Sequence, residues 1–396
     1  MTALTNLELA CGLVLGLDRP ARWSAQVSSV RRAPQEALDA AILPALRRPP
    51  CLVSFSGGRD SAVVLAAATA LARRHGLAEP IPATNRFEGA PAADESRWQE
   101  LLISGLGLTD WDRRVYTDEL DALGPYAQRV LRRHGLGWPF NLHFHLPIID
   151  AARGGSLLTG IGGDELFGAT RRTRLTAVLS RQARPGRRDA ARAALAFGPA
   201  GVRERVLARR LPVDFTWLRP AAARAATRAL AATSAREPRA MDARLRWWRA
   251  LRYFEVGMQD LEPLAADGDV QIVHPLADEA LWEAAGRVAP RSGYADRTHG
   301  MRSLFGDLLP QEVLARPDKA SFDEPFFNRH ARAFAHAWTG GGVPDDLVDG
   351  EALRRHWLGA SPRPQSFSLL QAAWLADSER RPSAGDRVQE PLGGLR

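Results

Sequence analysis

One short string constrains this chain more than any other. An apolar run at residues 51–55 enters Ser56-Gly57-Gly58-Arg59-Asp60-Ser61, and residues 61–74 that follow are apolar nearly all round until Gly76. This order reads as a buried strand, a glycine turn and a buried helix. Two glycines let the backbone curl close to an anion, and a helix N-terminus offers unpaired N–H groups and a positive dipole end. The hydroxyls of Ser56 and Ser61 can add hydrogen bonds to phosphate oxygens. Asp60 would repel phosphate unless a cation lay between them, and Mg²⁺ commonly combines one or two carboxylates with phosphate oxygens. The string is not a Walker A loop, which requires GxxxxGK[ST]. A plain tight turn capped by Asp60 is the competing reading, and the full string between strand and helix weighs against it.

The same alternation continues downstream. Strands are expected at Ile81–Phe87, 113–116 and 156–159, with helices over 93–106 and 118–134 and another ending near 151–153. Strands alternating with helices at this spacing predict a parallel sheet covered on both faces. From about residue 170 the strand signals stop, and helices are expected over 187–196, 202–210, 220–232, 241–254, 280–288, 300–309 and 366–376. The predicted organisation is a lead-in over 1–49, an α/β core over 50–170 that carries the anion-binding turn, a helical region over 171–378 and a disordered tail over 379–396.

Composition narrows the class. At 396 residues and 45% hydrophobic, the chain can build two packed units. No apolar run approaches the eighteen or so residues that span a bilayer, and the apolar stretch 10–17 lacks a basic flank. Cys11 and Cys51 make no disulfide framework and no zinc pattern. A cytoplasmic protein with no membrane partner is expected. The net charge of +8 is made from 52 arginines and a single lysine, Lys319. The arginine runs lack interleaved aromatics and any nucleic-acid module, so they read as solvated helix faces, and nucleic acid is not an expected partner.

A second glycine string, Thr159-Gly160-Ile161-Gly162-Gly163-Asp164-Glu165-Leu166-Phe167-Gly168, again follows a short apolar strand. Ligands of open parallel sheets bind at the carboxyl ends of strands, so both turns can face one pocket, with Asp164 as a second metal carboxylate. A third segment, Arg297-Thr298 through Arg302-Ser303-Leu304-Phe305 to Arg316-Pro317-Asp318-Lys319-Ala320-Ser321-Phe322, completes the pattern. Together these strings resemble the synthetase domain of the asparagine synthetases, within the N-type ATP pyrophosphatases (adenine-nucleotide α-hydrolase-like fold), whose relatives include β-lactam synthetases and lasso-peptide cyclases. The resemblance covers residues from about 50 to 376.

It implies an ATP- and Mg²⁺-dependent ligase that converts a carboxylate to an acyl-adenylate, releases pyrophosphate and passes the acyl group to an amine. The implied ATP and phosphate contacts are Ser56, Gly57, Gly58, Asp60, Ser61, Thr159, Gly160, Gly163 and Arg297, with residues 83–85 on the adenosine edge. Asp60 and Asp164 are the implied metal ligands. Lys319 falls where the family places a lysine on phosphate and the reacting carbonyl oxygen, a role that a planar guanidinium does not reproduce.

Two departures bear on mechanism. Residue 2 is Thr, and the lead-in is too short for the family's glutaminase domain, so the amine is expected to be free ammonia, ammonia from a separate subunit, or an amine of the substrate. Between the glycines of the second string, asparagine synthetases carry Glu and β-lactam synthetases Tyr; here Ile161 carries no proton, and Glu255 is the candidate catalytic carboxylate, with an ion pair to a nearby arginine as its alternative. Two further functions stay open: tRNA modification by another N-type pyrophosphatase, and a non-catalytic homologue that binds a partner. His143-Phe144-His145, Asp267-Gly268-Asp269 and Trp247-Trp248 are read as packing, a turn and core.

Overall fold

The computed structural model describes residues 1–18, 21–24, 31–167, 178, 184, 186, 189–211, 213–316 and 320–380. Lys319, Gly168 and the expected tail beyond residue 380 lie outside the described residues. Strands β1 (Cys51–Ser54), β2 (Ile81–Phe87), β3 (Asp112–Tyr116), β4 (Ser156–Leu158) and β5 (Gln271–Val273) form one parallel sheet. Its order is β3-β2-β1-β4-β5. The sequence accounts for the first four strands. The fifth corrects the expectation that strands stop near residue 170, because β5 pairs with β4 in the register Leu157↔Ile272 and Leu158↔Val273.

Burial explains the central elements. Leu52, Val53, Leu157 and Leu158 are almost fully enclosed, as strands covered on both faces must be. Helix Arg59–His75 buries eleven of its residues, Ser61–Ala72 with only Ala70 missing, which fits its lack of a polar face. Gly76 ends it in the left-handed conformation at φ +61.

The lead-in is part of the core. Helix Pro34–Leu46 inserts Leu38, Ile42 and Leu46, each at most 2% exposed, between helix Arg59–His75 and helix Glu279–Val288. Each such side chain contributes roughly 1.5–3 kcal/mol of burial. A second core forms where Ala10 and Cys11 meet Trp217, Trp357 and Phe367 of the helical region, with the Trp217 indole donating to the Ala10 carbonyl at 2.8 Å. Both cysteines are buried free thiols.

Two expected helices change shape for local reasons. The segment 118–134 becomes helical only at Pro125, after Gly124 at the cap, because buried Asp121 turns the chain by accepting N–H groups from Leu123, Asn328 and Ala331. The segment 241–254 splits into Met241–Arg249 and Arg252–Gln259. Between them Leu251 bridges Leu17, and the Arg252 amide donates to the Gly16 carbonyl at 3.1 Å. Among the described residues, no helix is long and apolar enough to cross a membrane.

Candidate active site

The sheet reverses its direction of growth at β1: β2 and β3 lie on one side, β4 and β5 on the other. Such a switch point opens a crevice at the carboxyl ends of the strands. A cleft of about 480 Å³ sits there. Ser56, Gly58, Asp60, Ser61, Thr159, Gly160, Asp164 and Arg297 line it, so most of the expected binding residues converge from two distant turns. The expected adenosine edge at 83–85 does not line it; the Ala83 carbonyl accepts from the Phe55 amide, and the Asn85 amide donates to the Phe144 carbonyl at 2.9 Å.

The glycines make this convergence possible. Gly57 has φ +91, and a Cβ there would stand 2.9 Å from the Gln99 side chain. Gly163 lies against Asp60, where a Cβ would fall 2.3 Å from the carboxylate carbon. A Cβ on Gly160 would meet the Ser61 amide nitrogen at 3.0 Å. The two turns therefore press on each other at positions where only hydrogen fits. Ser61 Oγ donates to the Gly58 carbonyl at 3.0 Å and lies 3.3 Å from Ser56 Oγ. No side chain caps helix Arg59–His75 at Gly58, so its first N–H groups have no cap to satisfy them.

Asp60 and Asp164 meet through Arg297. Its guanidinium donates to Asp164 Oδ1 at 2.5 Å and to both Asp60 oxygens. Burial works against the Arg297 charge, and the two carboxylates more than offset it, so its pKa is raised. One planar group thus contacts both acids, which come from separate turns. Asp60 is 21% exposed and Asp164 60%, so both reach the solvent of the cleft. Two carboxylates with room for phosphate and water suit Mg²⁺. Among the described residues, no group of three or more His, Cys, Asp or Glu converges as a metal site.

Arg316 and Glu95 were not singled out from sequence. They form a buried two-point pair at 2.5 and 2.7 Å, and Arg316 also donates to the Gly57 carbonyl at 2.8 Å. Glu95 Oε1 accepts the Ala320 amide at 3.1 Å. The pair thus ties the first glycine turn to both flanks of the segment that carries Lys319, and Arg316 and Ala320 line the cleft.

Glu255 is not at the cleft. It accepts from Arg249 at 2.8 Å and from Gln259 at 3.1 Å, the ion-paired alternative read from sequence. On the same helix Tyr253, two residues before Glu255, faces Glu165 at the edge of the cleft, and its hydroxyl donates to Glu165 Oε1 at 2.8 Å. Burial raises the pKa of Glu165. Thr159 Oγ1 shares a 2.6 Å hydrogen bond with His274 Nδ1. Burial, with His145 nearby, lowers His274 to about 3.

Most of the minor candidates behave as structure; His145 also lines the cleft. His143 and His145 sit in a 3-10 turn rather than an extended segment, and burial brings each to about 4. Asp267 pairs with Arg133 and His134, Trp247 is buried, and Trp248 packs on the central core.

No curated protein matches the chain closely enough to count as a relative. The asparagine synthase family profile, in contrast, matches residues 35–376, from the helix beneath the sheet through both glycine turns to the last described helix. With the parallel sheet, the two converging turns and that match in hand, the chain belongs to the asparagine synthase family.

Proposed function

We propose that the protein is an AMP-forming carbon–nitrogen ligase, which adenylates a carboxylate and transfers the acyl group to an amine without glutaminase chemistry in this chain. The family uses ATP. The observation that carries the reading is the meeting of Asp60 and Asp164, from two separate glycine turns, at one guanidinium beside an uncapped helix N-terminus. Residues 50–170 then supply the nucleotide side, apart from Arg297, and share the acceptor side with 171–378.

In this reading the backbone of residues 56–61 and the N-terminus of helix Arg59–His75 hold the phosphates. Asp60 and Asp164 hold Mg²⁺, which when bound offsets charge on the departing pyrophosphate. Arg297 sits between the acids and brings a permanent positive charge to the phosphate region. The substrate carboxylate attacks the α-phosphorus in line with the pyrophosphate leaving group. Lys319 stabilises phosphate charge during adenylation and then the oxyanion formed when the amine adds to the acyl carbon, a contribution commonly worth about 3–4 kcal/mol of barrier. The family match favours amide formation over tRNA modification, and catalysis separates this reading from a non-catalytic partner.

The test is exchange of labelled pyrophosphate into ATP, surveyed across candidate acids and peptides. Asp60→Asn and Lys319→Ala are each expected to abolish exchange while the protein stays folded by circular dichroism. Wild-type exchange in Lys319→Ala would overturn the role given to that lysine, and absence of Mg²⁺-dependent ATP binding would overturn the reading as a whole.

A further inference from the structure

A second, smaller chamber of about 200 Å³ adjoins the cleft and shares His145, Ile161 and Glu165 with it. Its other walls are mostly apolar, with Trp138, Leu142, Tyr253, Phe254 and Leu261, together with the amide side chain of Asn141. Trp138 and Tyr253 meet edge to face at 5.9 Å. Gly257 opens the remaining side, since even a Cβ there would stand 3.3 Å from the Trp138 ring. The room is therefore bounded by two aromatic side chains and held open by a missing one.

The doorway sets the charge of what enters. Glu165 stands there; Asp164 and Asp60 nearby are paired with Arg297, whereas the hydrogen bond to Glu165 Oε1 comes from the neutral Tyr253 hydroxyl. Among the described residues His145 Nδ1 is buried without a hydrogen-bond partner, and burial lowers this imidazole to about 4, so it adds no positive charge to balance Glu165. An acyl carboxylate lodged in the chamber would face like charge, whereas a cation would be attracted. Free ammonia has no apolar surface to bury and needs no such room. An apolar group carrying an amine satisfies both the walls and the doorway.

Resting on the reading of the main cleft as the adenylating site, we propose that this chamber is the acceptor subsite and takes an amine borne on an apolar group. The group is the size of an aromatic ring or branched aliphatic chain, and its ammonium is held by Glu165. Of the three amine sources that the sequence leaves open, this selects an amine of an organic substrate.

Calorimetric titration of the full chain with 2-phenylethylamine, methylamine and 2-phenylethanol tests it without any variant. The first should bind one site at least tenfold more tightly than either of the others, which lack the ring or the charge. Glu165→Gln and Gly257→Leu, checked for folding by circular dichroism, should each weaken 2-phenylethylamine at least tenfold. Equal binding of the three probes, or wild-type affinity in both folded variants, would overturn the proposal. MgATP titrated into the same wild-type protein reads the adenylation proposal separately, so loss of one result is not loss of the other.

Discussion

Gly163→Ala adds one methyl group at the point where the two glycine turns touch. The added Cβ would lie 2.3 Å from Asp60 Cγ and 2.4 Å from its Oδ1. Carbon atoms rest at about 3.5–4.0 Å, so the Asp60 carboxylate must retreat by at least about 1 Å. The backbone does not oppose the substitution, because Gly163 is not among the glycines with positive φ. The effect is therefore steric and falls on a single carboxylate. Overpacking of this kind costs about 1–3 kcal/mol of stability. A 1 Å misplacement of a reacting or positioning group can cost about 100-fold in rate. We expect MgATP to bind at least about tenfold more weakly by calorimetry, or about 1.4 kcal/mol, and pyrophosphate exchange to fall further. The matched control is Gly105→Ala, exposed in helix Ser96–Leu106 with nothing within 4 Å of its added Cβ. It should leave ATP binding unchanged and raise stability by about 0.4–1 kcal/mol. A Gly163→Ala protein with wild-type melting temperature and wild-type MgATP affinity would refute the claim that Asp60 needs the space this glycine leaves.

Glu95→Gln should lower stability by about 3 kcal/mol in urea, because it removes charge from a pair whose side chains are only 3% and 6% exposed. A double-mutant cycle with Arg316→Met should then give coupling above about 1 kcal/mol, and additive effects would argue against the tether. His143 should make stability fall on acidification: burial holds it near 4 in the fold against an ordinary 6.5, so below pH 6.5 the unfolded chain binds the extra proton. The loss grows from about pH 6.5 to pH 4 and reaches roughly 3 kcal/mol there. His143→Gln should flatten the curve of urea stability against pH over that window by this amount, and parallel curves for the two proteins would rule the buried imidazole out as its source.

What was legible in the sequence follows from how local each signal is. β2 was expected at Ile81–Phe87 and lies there, and the strand, turn and helix around Ser56 were readable because glycine, apolar run and stop signal stand side by side. β5 was not readable: Gln271-Ile272-Val273 is only half-buried and takes its strand form from pairing with β4, a contact made between residues more than a hundred apart. On helix Arg252–Gln259 the choice between Tyr253 and Glu255 had a sequence signal that periodicity can supply. Residues two apart on a helix point to different sides, whereas Tyr253, Gly257 and Leu261 recur every four residues and share the chamber wall. The stripe says the two residues face apart; only the packing of Tyr253 toward Glu165 says which one faces in. Arg316 failed to stand out for a different reason. Among 52 arginines, residue type carries almost no information: Arg297 was reached only through the family resemblance, and the importance of Arg316 appears only when the fold buries it against Glu95. Lys319 is the converse case: its type occurs once in 396 residues and it falls where the resemblance places a lysine, so it is singled out by sequence, while it lies outside the described residues. Scarcity makes a residue readable in the sequence, and abundance leaves the same judgement to three-dimensional contact.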